Sequence, residues 1–92
     1  MAPVIRVAPE WECWPLWDHE TGDNLDPASI SVPTELATRI AVWDDQFQAI
    51  FNRDDPQASD FPSAAARNAW RAEGDALIEA LRAAGFAVVD RR

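Results

Sequence analysis

Cys13 and His19 are the only cysteine and the only histidine of this chain, so they are the one pairing that offers a nucleophile and a general base. Nucleophilic catalysis also asks for a third group to orient the base, and the 92 residues hold neither a glycine-rich elbow nor a phosphate-cradling loop. A solitary cysteine is more often a small buried hydrophobe. Asp44-Asp45 and Asp54-Asp55 are paired carboxylates of the type used for acid–base work, but adjacent acids on a helix or in a connector ordinarily face solvent. Asp18, His19, Glu20, Asp23 and Asp26 form an oxygen-rich run that invites comparison with a calcium loop. With Asp18 in first place, Gly22 stands where the fifth position needs a ligand and Asp23 stands where the sixth needs glycine. A solvated loop is the better reading. No enzymatic activity, metal or other cofactor is expected.

Trp11, Trp14 and Trp17 recur at intervals of three around Cys13 and Pro15. In a domain this small, indole rings read first as core, because each carries a large apolar area. The competing reading is an aromatic surface that anchors a partner, since tryptophan is enriched at binding hot spots. On a strand Trp11 and Trp17 share a face and Trp14 points away, which leaves at least one of them exposed.

The elements that must hold these residues follow from pattern. Val4-Ile5-Arg6-Val7, bounded by Pro3 and Pro9, reads as a strand, and residues 12–17 read as a second strand that Pro15 confines to an edge. Residues 18–28 are polar and turn-forming. Leu36, Ile40, Trp43, Phe47 and Ile50 fall on one helical stripe and predict a helix over 34–52, with Pro33 at its entrance. Ala66, Trp70, Gly74, Leu77, Leu81 and Ala84 predict a second helix over 64–84, capped by Ser63. Gly74 lies inside that stripe, so close approach by Trp43 or Phe47 is expected there. Gly85 suits a left-handed cap before a last strand, Phe86 to Val89. The predicted fold is α+β, one domain over residues 1–92: an antiparallel two-helix hairpin packed on a small sheet formed by the N-terminal and C-terminal strands.

Charge divides the chain. Sixteen acids oppose eight arginines, there is no lysine, and the net charge is −8. Residues 10–60 hold twelve of the acids against Arg39 and Arg53, a local balance of −10, whereas residues 61–92 carry +1. Such acidity disfavours direct nucleic-acid binding and marks one strongly negative surface. A lone cysteine excludes an intrachain disulfide. No apolar run is long enough for a signal peptide or a membrane span, so a cytoplasmic location without membrane contact is expected.

Glu12-Cys13-Trp14-Pro15-Leu16-Trp17, then Asp26-Pro27-Ala28-Ser29, Leu36 with Trp43, and Trp70 with Gly74 together resemble a widespread group of small acidic bacterial proteins associated with immunity proteins of toxin systems. The resemblance covers most of the chain and supplies no catalytic residue. It implies a cytoplasmic inhibitor that blocks a toxin by direct contact. The acidic surface suits a basic partner such as a nuclease toxin, with Asp18, Glu20, Asp23, Asp54 and Asp55 as the attracting acids and Trp11, Trp14 or Trp17 as the anchor. Two other readings remain open at this point: a ligand-binding module with a Trp-lined pocket, and a structural subunit of a larger assembly.

Overall fold

The computed structural model describes residues 3–55 and 59–92. Strand β1 (Ile5–Val7) is followed by β2 (Leu16–Asp18), β3 (Asn24–Leu25), a 3₁₀ turn (Pro27–Ser29), helices α1 (Thr34–Ala49) and α2 (Ala64–Ala83), and strand β4 (Val88–Asp90). The sheet has four strands in the order β3-β2-β1-β4. β1 pairs antiparallel with β2 and parallel with β4, so the two helices form the crossover that brings the C-terminal strand back beside the first.

The expected α+β arrangement of two packed helices and paired terminal strands is present, with corrections to the sheet. β2 is an inner strand, not an edge: it begins after Pro15, so the missing proline N–H removes no bond from the ladder, and the Pro15 carbonyl accepts from Ala8 N at 2.9 Å. The polar run 18–28 is a hairpin turn plus β3, because the Asp18 backbone closes the turn with Asp23 and Gly22. Residues 12–15 are not strand, since Glu12 takes a left-handed φ of 62°.

Alternation sets the two faces of the sheet. Ile5, Val7 and Leu16 are buried against the helices, with Leu36, Ile40, Trp43, Leu77, Ile78 and Leu81 on the other side of the core. The helices cross in opposite senses: Arg39 meets Glu73, and one turn on Trp43 meets Trp70. The two indoles stack at 4.6 Å, and each N–H donates to the other's carbonyl, at 2.8 and 3.0 Å. A buried indole needs such a partner.

Gly74 answers to the same contact. A Cβ there would lie 2.9 Å from Trp43 Cζ2 and would also strike the Arg92 guanidinium. Ser63 caps α2 by accepting from Ala66 N at 3.0 Å. Gly85, at φ 99°, closes it: its N–H reaches Arg82 O and Phe86 N reaches Leu81 O, satisfying carbonyls the helix end would leave unpaired. Phe86 therefore plugs the core instead of starting the strand, which opens at Val88. α1 ends at Ala49, three residues earlier than its apolar stripe suggests.

Candidate functional site

The segment from Ala8 to Pro15, between β1 and β2, carries Trp11 and Trp14 and is held against the end of α1. A non-glycine residue with positive φ is disfavoured, and Gln48 of α1 supports it at Glu12. The Gln48 Oε1 accepts from Glu12 N at 2.8 Å, while its Nε2 donates to Glu10 O at 2.8 Å and makes longer contacts with Cys13 O and Asp44 Oδ1, at 3.4 and 3.3 Å. Trp11 stacks on Phe47 at 4.2 Å and Phe51 at 4.9 Å. Arg53, just past the helix, bonds to Glu12 at 2.7 Å.

The three tryptophans divide their duties. Trp11 is half-buried by its stack. Trp17 is half-buried on the outer face of the sheet, with its indole N–H fixed on Ala8 O at 2.8 Å. Trp14 is 40% exposed, and among the described residues only Val42 is a comparably exposed large apolar side chain. Asn24 of β3 grips the Trp14 backbone from both sides, accepting from its N at 3.0 Å and donating to its O at 2.7 Å. Beside Trp14 opens a cleft of about 390 Å³ lined by Glu12, Asn24, Asp44, Asp45 and Gln48.

Asp44 is the one buried charged side chain among the described residues. Burial pushes its carboxyl above the ordinary aspartate value and neighbouring Asp45 pushes the same way, opposed by the Gln48 hydrogen bond. Gln48 and Asn24 were not legible as site residues, and of the Asp44-Asp45 pair expected to face solvent only Asp45 does, because these roles depend on which part of the β1–β2 segment folds over them. The one hint in the sequence is the spacing of Asp44 and Gln48, which are neighbours on a helix surface.

The acids expected to attract a partner come from two segments of the fold. Asp18, Glu20 and Asp23 belong to the turn at the Ile5 end of the β1–β2 ladder, and Asp54 and Asp55 lie beyond Arg53, which is tied to the loop at the Val7 end. Asp18 is occupied by its own turn, where its Oδ1 accepts from Glu20 N and Thr21 N at 2.9 and 3.1 Å. Glu20, Asp23, Asp54 and Asp55 are exposed. The connector's remaining residues, 56–58, lie outside the described residues. Cys13 and His19 flank β2 on opposite sides and are not brought together. Among the described residues no three His, Cys, Asp or Glu side chains are grouped as metal ligands. No described helix is long and apolar enough to cross a membrane.

A family model described as Serratia CdiI immunity protein-like matches residues 3–85, from the start of β1's approach to the cap of α2. The chain belongs to that family. A search of curated proteins finds no match. Membership in an immunity-protein family implies a toxin as the protein to be neutralised. The matched span includes the Trp11–Trp17 segment, α1 and α2, so the loop clamped by Gln48 and the Trp43–Trp70 stack both lie within what the family model describes.

Proposed function

We propose that this protein neutralises a cognate CdiA toxin domain by direct contact, and that the partner is basic where it meets the end of the molecule formed by the Trp11–Trp14 loop and the end of α1. The observation that carries the reading is the exposed Trp14 beside a cleft walled by Glu12, Asp44 and Asp45, with Asp54 and Asp55 beyond. Asp45, Asp54 and Asp55 join no ion pair among the described residues, so their charge remains for a partner. An aromatic anchor beside the exposed, unpaired Asp45 combines a desolvated contact with a field that draws in a basic protein.

Asp18, Glu20 and Asp23, with the half-buried Trp11 and Trp17, complete the proposed surface. The turn acids act at longer range, and Trp11 mainly stiffens the loop that presents Trp14. The test is co-expression with the toxin domain encoded by the neighbouring reading frame. The parent protein restores growth, and Trp14→Ala weakens toxin binding by about 2 kcal/mol or more, the range of a hot-spot aromatic, while its melting temperature stays near that of the parent. Unchanged affinity in Trp14→Ala removes this surface from the interface. Failure of the parent to protect refutes the immunity reading.

A further inference from the structure

We propose that the outer face of the sheet is a second contact surface of the same complex, a basic cleft walled by tryptophan that receives an acidic side chain of the toxin domain. The proposal rests on the toxin-binding reading above and adds to it a contact of opposite sign. The helices cover one face of the sheet only. On the other, register places Arg6 of β1 between Trp17 of β2 and Val89 of β4, and Arg91, whose N–H bonds to Val7 O at 2.9 Å, continues β4 onto the same face.

Arg6, Trp17 and Arg91 line a cleft of about 670 Å³ together with Trp11, Cys13 and Glu10. Its charge runs against that of the molecule: two guanidinium groups face one carboxylate, in a chain of net charge −8. Among the described residues neither Arg6 nor Arg91 forms an ion pair.

The walls are already set. Trp17 is fixed by its bond to Ala8 O, and Trp11 by its stack on Phe47. The Arg6 guanidinium lies over the Trp17 ring, 5.9 Å from its centroid. A guanidinium resting on an indole keeps its N–H edges free for a carboxylate, and little side-chain freedom remains to be lost on binding. A nucleic-acid phosphate would also suit two arginines, but it would have to approach against the acidity of the whole molecule. An acidic side chain on an otherwise basic protein meets no such barrier. The reversed pair would fix the orientation of a partner that the acidic end attracts without direction.

The experiment measures binding kinetics of the parent, Arg91→Glu, Arg91→Lys and Arg6→Glu with the toxin domain encoded beside this gene. Arg91 lies beyond the last strand, so its variants keep the measurement interpretable if Arg6→Glu disturbs β1. We expect Arg91→Glu to weaken binding ~10–100-fold, in line with reversal of an interfacial charge. Arg91→Lys should retain most of the affinity. One Asp or Glu of the toxin changed to Arg should restore binding to Arg91→Glu. If Arg91→Glu binds as tightly as the parent, the cleft is not part of the interface and the toxin-binding reading still stands. If the parent does not bind, both fall. A change in molecular mass with Arg91→Glu at unaltered toxin affinity would show that a second copy of the chain fills the cleft, and would overturn the proposal.

Discussion

At the scale of single residues, Asp44 and Asp90 are carboxylates that burial and pairing drive in opposite directions. Burial raises the Asp44 pKa above 3.8, so its folded form holds a proton that the unfolded chain has already released. Ionised Asp44 therefore costs stability at neutral pH, and the cost disappears as pH falls through the folded value. Asp90 is lowered, chiefly by its hydrogen bond with Arg92, and it contributes stability above the ordinary aspartate value that is lost as pH falls through its folded value. Asp44→Asn keeps an oxygen for the Gln48 amide, so it should raise the urea midpoint at pH 7, with the gain shrinking as pH falls through the folded value and gone below the ordinary aspartate value of 3.8. Asp90→Asn should lower the midpoint at pH 7 and match the parent in acid. Urea titrations across pH 3–8 check both, and an Asp44→Asn gain that is independent of pH would assign the effect to packing instead of charge.

Secondary elements were legible in proportion to their length. Both helices follow from apolar stripes of five and six residues, and the Trp43–Gly74 approach followed from a glycine standing where the stripe required a side chain. The strands have two or three residues each, too few for alternation to separate strand from turn, which is why β3 was missed; β2 was assigned to an edge because Pro15, which lies just before it, was counted inside it. Phe86 was read as strand because a side chain that seals a helix end is as apolar as one that begins a strand. The stacked Trp43–Trp70 pair is where the helices depend on each other most. Trp43→Ala should cost about 3–5 kcal/mol through the cavity it leaves, and it also removes the indole N–H that donates to the Trp70 carbonyl. A domain of this size has about 5–10 kcal/mol in hand, so circular dichroism should show a large fall in melting temperature. A melt like the parent's would mean that the stack is not central to the packing.

At the scale of the whole molecule, the sequence revealed how much acid there is and in which half of the chain, but not that the chain distributes it to opposite ends of the β1–β2 ladder. Charge arithmetic has no direction, and the turn acids and connector acids are separated by contacts that only folding defines. The same limit hid the basic cleft, because Arg6 counts as one isolated charge until β4 brings Arg91 beside it. The geometry makes the two acid groups separable by salt. The screening length is about 8 Å at physiological ionic strength, so charges outside the contact act chiefly when salt is low. Changing Glu20 and Asp23 to Lys should slow toxin association at ~0.01 M salt and lose that effect near 0.15 M. Changing Asp54 and Asp55 to Lys, just beyond the Arg53–Glu12 pair, should slow association at both if they lie in the contact, because contact charges are less screened than steering ones. Stopped-flow association rates over that range distinguish the two groups. Equal salt dependence for both pairs would mean that the toxin approaches neither end preferentially, and rates unchanged by either pair would mean that the acidity serves solubility alone.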